Sequence, residues 1–152
     1  MGEPRFLADK TVGRLARWLR LLGYDCQIDR ESDPDCLLAH ALEEERVLLT
    51  KNSRVGDAAA VCQLASSDTM VQLRQVLQRF ALAIDPDRML TVCSVCDARV
   101  EALTRDQVRG LVPPYVFATQ TTFSRCPQCG RMYWAGTHKE RMMARLRQAG
   151  LA

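Results

Sequence analysis

The sequence predicts an α/β fold with a mainly parallel central sheet, followed by a small C-terminal zinc ribbon. Two observations carry this reading. Through residues 1–86, short apolar runs alternate with amphipathic helices, the pattern of βαβ units. Residues 87–152 change character and hold two Cys-x-x-Cys pairs, Cys93/Cys96 and Cys126/Cys129, with 29 residues between the pairs.

The first run, Phe6-Leu-Ala-Asp9, ends on a carboxylate, and a helix begins at once. Val12, Leu15, Ala16, Leu19 and Leu22 make one buried stripe of that helix, and Lys10, Arg14 and Arg17 make a basic ridge on another face. Ligand sites in open α/β sheets lie outside the carboxyl ends of the strands. Asp9 is therefore positioned to hold a hard cation or activate water. An N-cap beside a solvated helix face would read the same way. Gly23 suits the end of the helix, and residues 24–28 read as a second strand. Ser32-Asp33-Pro34-Asp35 is a helix start, with a capping side chain, Pro in the first turn and acids where the dipole favours them. That helix runs to about residue 45 and is expected to bury Leu37, Leu38, Ala41 and Leu42. Residues 46–50 form a buried strand with Lys51-Asn52-Ser53 as the loop at its carboxyl end. Residues 58–64 read as a strand, although their alanines leave a helix open. Ser67-Asp68 opens a third helix whose buried face is Met70, Leu73, Val76, Leu77 and Phe80. The turns gathered on one edge would hold Asp9, Asp29 or Asp33/Asp35, and Lys51/Asn52.

With 47% hydrophobic residues in 152, the chain can fill a core for one domain and a small module. No 18-residue apolar run is present and no long apolar segment follows the N-terminus, so a cytoplasmic location without a membrane partner is expected. Seven cysteines, an odd count, argue against a disulfide framework. Cys26, Cys36 and Cys62 read as small core residues. Four thiolates from the two pairs close a tetrahedron around Zn²⁺ and leave no open position, so the zinc is structural; paired redox motifs are the competing reading. The spacer holds Pro113-Pro114 and a β-rich run over 115–123. Beyond it, Tyr133 and Trp134 offer base stacking or packing, and His138 offers a phosphate contact or a helix cap. Charge is uneven: Arg125, Arg131, Lys139, Arg141, Arg145 and Arg147 face Glu140 alone in the last stretch, while residues 25–51 lean acidic. Such a balance fits a nucleic-acid ligand beside a metal-binding centre.

Phe6-Leu-Ala-Asp9, the run from Gly13 to Asp25, Val47-Leu-Leu-Thr-Lys51 and the stretch from Cys126 to His138 together resemble the Mut-seven C-terminal RNase family, over nearly the whole chain. The resemblance implies a PIN-like three-layer domain whose acids hold Mg²⁺ or Mn²⁺ and hydrolyse RNA with metal-activated water. Asp9 matches the family's first acid, and Asp33 or Asp35 matches the acid at the start of the second helix. Asp9 and Asp35 are then the expected Mg²⁺ or Mn²⁺ ligands. Where the family usually reads Leu-Thr-Arg-Asp, this chain has Leu49-Thr50-Lys51-Asn52, and a later family acid is replaced by Val71. Asn52 can offer a carbonyl oxygen without a charge. The implied catalytic set is Asp9, Asp33, Asp35 and Asn52. The expected RNA contacts are Lys10, Arg14, Arg17, Lys51, Trp134 and His138. The alternative is an RNA-binding or ribosome-associated protein that keeps the fold with a weakened acid set. Homo-oligomer formation and ribosome association both stay open.

Overall fold

Four short strands form the first sheet of the computed structural model, which describes residues 2–152. They are β1 (Phe6–Asp9), β2 (Cys26–Asp29), β3 (Val47–Thr50) and β4 (Val61–Gln63), all parallel, in the order β2-β1-β3-β4. The connecting helices are α1 (Gly13–Leu21), α2 (Pro34–Glu43) and α3 (Thr69–Arg79). Each strand of four or fewer residues would be marginal alone; the parallel ladder and cover on both faces hold it. Leu7, Leu48 and Val61 pack under Leu37 and Ala41 of α2. Phe6 alternates to the opposite face, where its ring meets Phe80, at the end of α3, edge-on with centroids 5.4 Å apart.

The helix starts follow their caps. Asp33 accepts from the backbone N–H of Asp35 and Cys36 at 2.8 and 3.2 Å, with Pro34 in the first turn. Asp68 does the same for α3 through Met70 and Val71. Gly23 has φ +92, the left-handed conformation expected where α1 stops. The α1 stripe of Val12, Leu15, Ala16, Leu19 and Leu22 is buried as read. Two expectations fail on α2. Leu42 is 59% exposed, because Leu37 and Ala41 face the sheet and Leu42 lies about 100° further round the helix. Cys36 is exposed in the first turn rather than in the core, whereas Cys26 and Cys62 are buried. The 58–64 run resolves as strand only at Val61–Gln63.

By internal contact the chain divides into two compact units. The first takes in the chain up to Arg20 and Tyr24–Ala83; the second takes in Leu21–Gly23 and Ile84–Ala152. In the second, β5 (Glu101–Leu103), β6 (Phe123–Arg125) and β7 (Met132–Trp134) form an antiparallel sheet in that order. Between β5 and β6 lie α4 (Arg105–Val108) and α5 (Pro114–Thr119), and the chain closes with α6 (Gly136–Gln148). The run expected to be β-rich over 115–123 is therefore helical in its first half. Pro114 presets the first helical turn, and Val116 and Phe117 gain cover against Val108, Val112 and Phe123, which outweighs their β propensity. A reciprocal capping box between Thr104 and Gln107 starts α4. No helix among the described residues is long and apolar enough to cross a membrane.

Candidate active site and metal centre

Asp9 closes the central strand and is only 2% exposed. A buried carboxylate needs donors on its oxygens, and the local sequence Asp-Lys-Thr supplies them. Oδ1 accepts from the Thr11 backbone N–H at 2.9 Å and from the Thr11 hydroxyl, and Oδ2 accepts from the Thr50 hydroxyl at the end of β3. Each hydroxyl oxygen accepts in turn from the backbone. Lys51 N–H donates to Thr11 Oγ1 at 3.1 Å, and Asn52 N–H donates to Thr50 Oγ1 at 2.9 Å. The two hydroxyl protons are thereby aimed at Asp9. Sequence reasoning singled out Asp9 and missed its two threonines; a hydroxyl two residues after an acid at a strand end was the signal available.

The neighbouring candidates are placed as follows. Asn52 Oδ1 accepts from Arg54 N–H at 3.0 Å and caps a 3₁₀ turn, Ser53–Val55. Asp33 and Asp35 are exposed at the start of α2. Asp29, in register with Asp9 on the adjacent strand, bonds His40 Nδ1 through Oδ2 and accepts from Glu31 N–H at 2.9 Å through Oδ1. Burial pushes the Asp29 carboxyl up, but those two partners outweigh it and hold it below the usual range. The Asp29 bond holds His40 above its usual value, against desolvation, with Glu43 and Glu31 adding in the same direction. Among the described residues, the one group of three or more His, Cys, Asp or Glu side chains close enough to share an ion lies elsewhere, so Asp9, Asp33 and Asp35 are not gathered into such a group.

A cleft of about 350 Å³ opens at the same sheet edge, lined by Lys10, Arg14, Lys51 and Thr11 with Ser67 and Thr69 at the start of α3. Lys10 Nζ donates to the Ser32 hydroxyl and Lys51 Nζ to the Ser67 hydroxyl. Arg17 is exposed on α1. Three cations and no carboxylate on these walls make the cleft suited to phosphate.

In the second unit, the ligand sulfurs of Cys93, Cys96, Cys126 and Cys129 all lie within 4.8 Å of one another. Zn–S bonds of about 2.3 Å in a tetrahedron put sulfurs about 3.8 Å apart, and Cys93 Sγ to Cys129 Sγ is 3.8 Å. The two loops repeat one geometry. Cys93 N–H donates to Ala98 and Asp97 N–H to the Cys93 carbonyl; Cys126 N–H donates to Arg131 and Gly130 N–H to the Cys126 carbonyl. Asp97 and Gly130 both take positive φ at the matching position. These are paired knuckles compatible with a zinc ribbon, and four thiols fit a tetrahedral soft-ligand ion. Tyr133, also unforeseen as a contact, donates its hydroxyl to Cys93 Sγ at 3.1 Å. Burial pushes the Cys93 thiol up, but the Tyr133 hydroxyl and the Cys96 and Val95 N–H groups bring it down to about 6. Desolvation and the Cys129 and Cys126 thiols push Cys96 up to about 12. Trp134 packs half-buried against the Val108, Val112, Val116 and Phe123 core, and His138 is exposed in the first turn of α6.

Comparison with curated proteins and with solved structures finds no significant match. The Mut7-C RNAse domain family, by contrast, matches residues 4–146, from just before β1 to the last turns of α6, so that both the Asp9 edge and the cysteine knuckles fall inside it: the chain belongs to that family.

Proposed function

We propose that the protein is a metal-dependent ribonuclease with a PIN-like first unit, hydrolysing RNA phosphodiester bonds at the Asp9 edge of the sheet. The observation that carries this reading is the match of nearly the whole chain to an RNase domain family. Asp9 and Asp35 are the assigned ligands of Mg²⁺ or Mn²⁺, with Asp33 beside them and Asn52 as a neutral oxygen donor. The donor set suits a hard ion: it is all oxygen, from the Asp9 and Asp35 carboxylates and the Asn52 amide, with the remaining positions left to water and substrate phosphate. Such an ion acidifies a bound water and offsets the charge that develops on the phosphodiester. Lys10, Arg14 and Lys51 hold the phosphates in the cleft, and Arg17 extends that ridge. These contacts orient the strand without reading its sequence. Thr11 and Thr50 keep the Asp9 carboxylate aimed between turnovers.

One observation favours a second reading, an RNA-binding protein that does not cut. Asp9 is satisfied by protein donors, and no three-acid group surrounds it among the described residues. The test is cleavage of labelled single-stranded RNA with Mn²⁺, with Mg²⁺ and with neither, beside Asp9→Asn and Asp35→Asn. The nuclease reading expects metal-dependent cutting lost by at least about a hundredfold in Asp9→Asn. Salt-sensitive binding with no cutting by the wild-type protein overturns it in favour of the second.

A further inference from the structure

The second unit carries a concavity of about 440 Å³ that neither metal centre uses. Ala102, Ser124 and Tyr133 face one another across β5, β6 and β7, so they share one face of the sheet. Their neighbours Leu103, Phe123 and Trp134 alternate to the other face, where Phe123 is buried and Leu103 and Trp134 are half-buried in the α4–α5 core, although Trp134 also lines the concavity. The concavity is floored on this face by the small side chains of Ala102 and Ser124, with Tyr133 only 7% exposed beside them. Arg99, Lys139 and Asp87 stand around it. Neither Arg99 nor Lys139 joins an ion pair among the described residues. The charge of this unit points the same way: residues 84–152 hold ten Lys and Arg against six Asp and Glu, whereas residues 2–83 hold eleven against twelve.

We propose that this concavity binds one nucleotide of single-stranded RNA. The base lies against the Ala102–Ser124–Tyr133 floor, and the backbone phosphate sits between Arg99 and Lys139. The inference rests on the reading of RNA as the ligand. The volume exceeds what a lone phosphate fills and lies in the range of small-molecule sites. A sheet face of small side chains flanked by cations leaves room for an unstacked base with its phosphate held at the rim. Asp87 opposes a bare polyanion but can accept from a base amino group, so the site distinguishes a nucleotide from inorganic phosphate.

The test measures binding of a labelled single-stranded RNA to the zinc-loaded full chain, without added Mg²⁺ or Mn²⁺, over a range of salt. Arg99→Glu with Lys139→Glu should weaken binding about tenfold or more, and should reduce the salt slope by about 0.7 for the one lost phosphate contact. Arg131→Glu with Arg145→Glu makes the same charge change away from the concavity and should cost less than about threefold. Ala102→Phe fills the floor without altering charge. It should weaken binding about fivefold with the salt slope unchanged. Equal losses from both charge reversals, or wild-type affinity in Ala102→Phe, overturn the proposal. Cutting assayed with Mn²⁺ in parallel separates the two readings. A wild-type protein that cuts RNA while all these variants bind normally sinks this site alone. One that binds here without cutting supports this site and sinks the nuclease. One that binds no RNA sinks both.

Discussion

The two candidate centres of the chain are built on opposite plans. At the Asp9 edge, a single buried carboxylate is fully satisfied by the protein, through a backbone N–H and two hydroxyls whose own orientation is fixed by Lys51 and Asn52 N–H groups. That site is finished before any ion arrives. In the knuckles, four thiols converge within 4.8 Å, and Cys93 also accepts from Tyr133 and from the Val95 N–H. Four thiolates crowded this closely repel one another, and a cation among them offsets that repulsion. The difference teaches what each ion does. On the proposed function, an ion at the knuckles would complete the fold, and one at Asp9 would complete the chemistry.

The largest effect should come from breaking the knuckles. Structural zinc contributes on the order of 10 kcal/mol or more to folding a small module. Cys126→Ser should abolish zinc content by elemental analysis and strip amide-exchange protection from β5, β6 and β7. Protection of β1 and β3 should persist, because that sheet rests on apolar cover and a satisfied carboxylate. Equal loss of protection in both sheets would erase the contrast.

Next in size is Thr50→Val, which keeps the shape and deletes the hydroxyl. It leaves Asp9 Oδ2 and the Asn52 N–H without their partner, in a position fully buried from solvent. Stranding a buried charged acceptor costs about 2 kcal/mol or more. The urea midpoint should fall accordingly with the slope unchanged, whether or not Mg²⁺ is present. A midpoint rescued by Mg²⁺ would mean that the ion, and not the threonine, carries the Asp9 site.

Asn52→Asp sharpens the comparison from the other side. Asp caps the Ser53–Val55 turn as well as Asn does, so stability should hardly move. An added carboxylate should tighten the hard-ion site, lowering the Mn²⁺ concentration for half-maximal cleavage about tenfold, as ligand charge tunes such sites. An unchanged Mn²⁺ dependence would remove Asn52 from the ion's surroundings.

How much of this was legible in the sequence depended on what each feature rests on. Asp9 at a strand end, the α1 stripe and the Asp33 and Asp68 caps are local patterns, and they appear where periodicity and cap chemistry put them. The knuckles are local too, since each is six residues closed by its own backbone bonds. What the sequence hid is long-range. Thr50 reaches Asp9 across 41 positions and Tyr133 reaches Cys93 across 40. No spacing rule announces such pairs. Tertiary cover likewise turned the 115–119 stretch helical and left Leu42 in solvent.

The smallest effect concerns Asp29, on the strand beside Asp9, and its partner His40 on α2. Its two members titrate in opposite senses, so the sign differs at each end of the pH scale. Asp29 is held below its ordinary 3.8, so its contribution is present above that value and fades as pH falls through the lowered one. His40 is held above its ordinary 6.5, so its contribution is complete below 6.5 and fades as pH rises through the raised value. The pair therefore stabilises most between those two ordinary values. The His40 ring is well exposed, and solvent screening keeps the gain small. NMR titration should place the His40 midpoint above 6.5 in the wild-type protein and move it down in Asp29→Asn. Adding Mg²⁺ should leave that midpoint in place if the ion binds at Asp9 and Asp35. A downward shift with Mg²⁺ would draw Asp29 into the ion's field and make the register pair of Asp9 and Asp29, rather than Asp9 alone, the acidic core of the site.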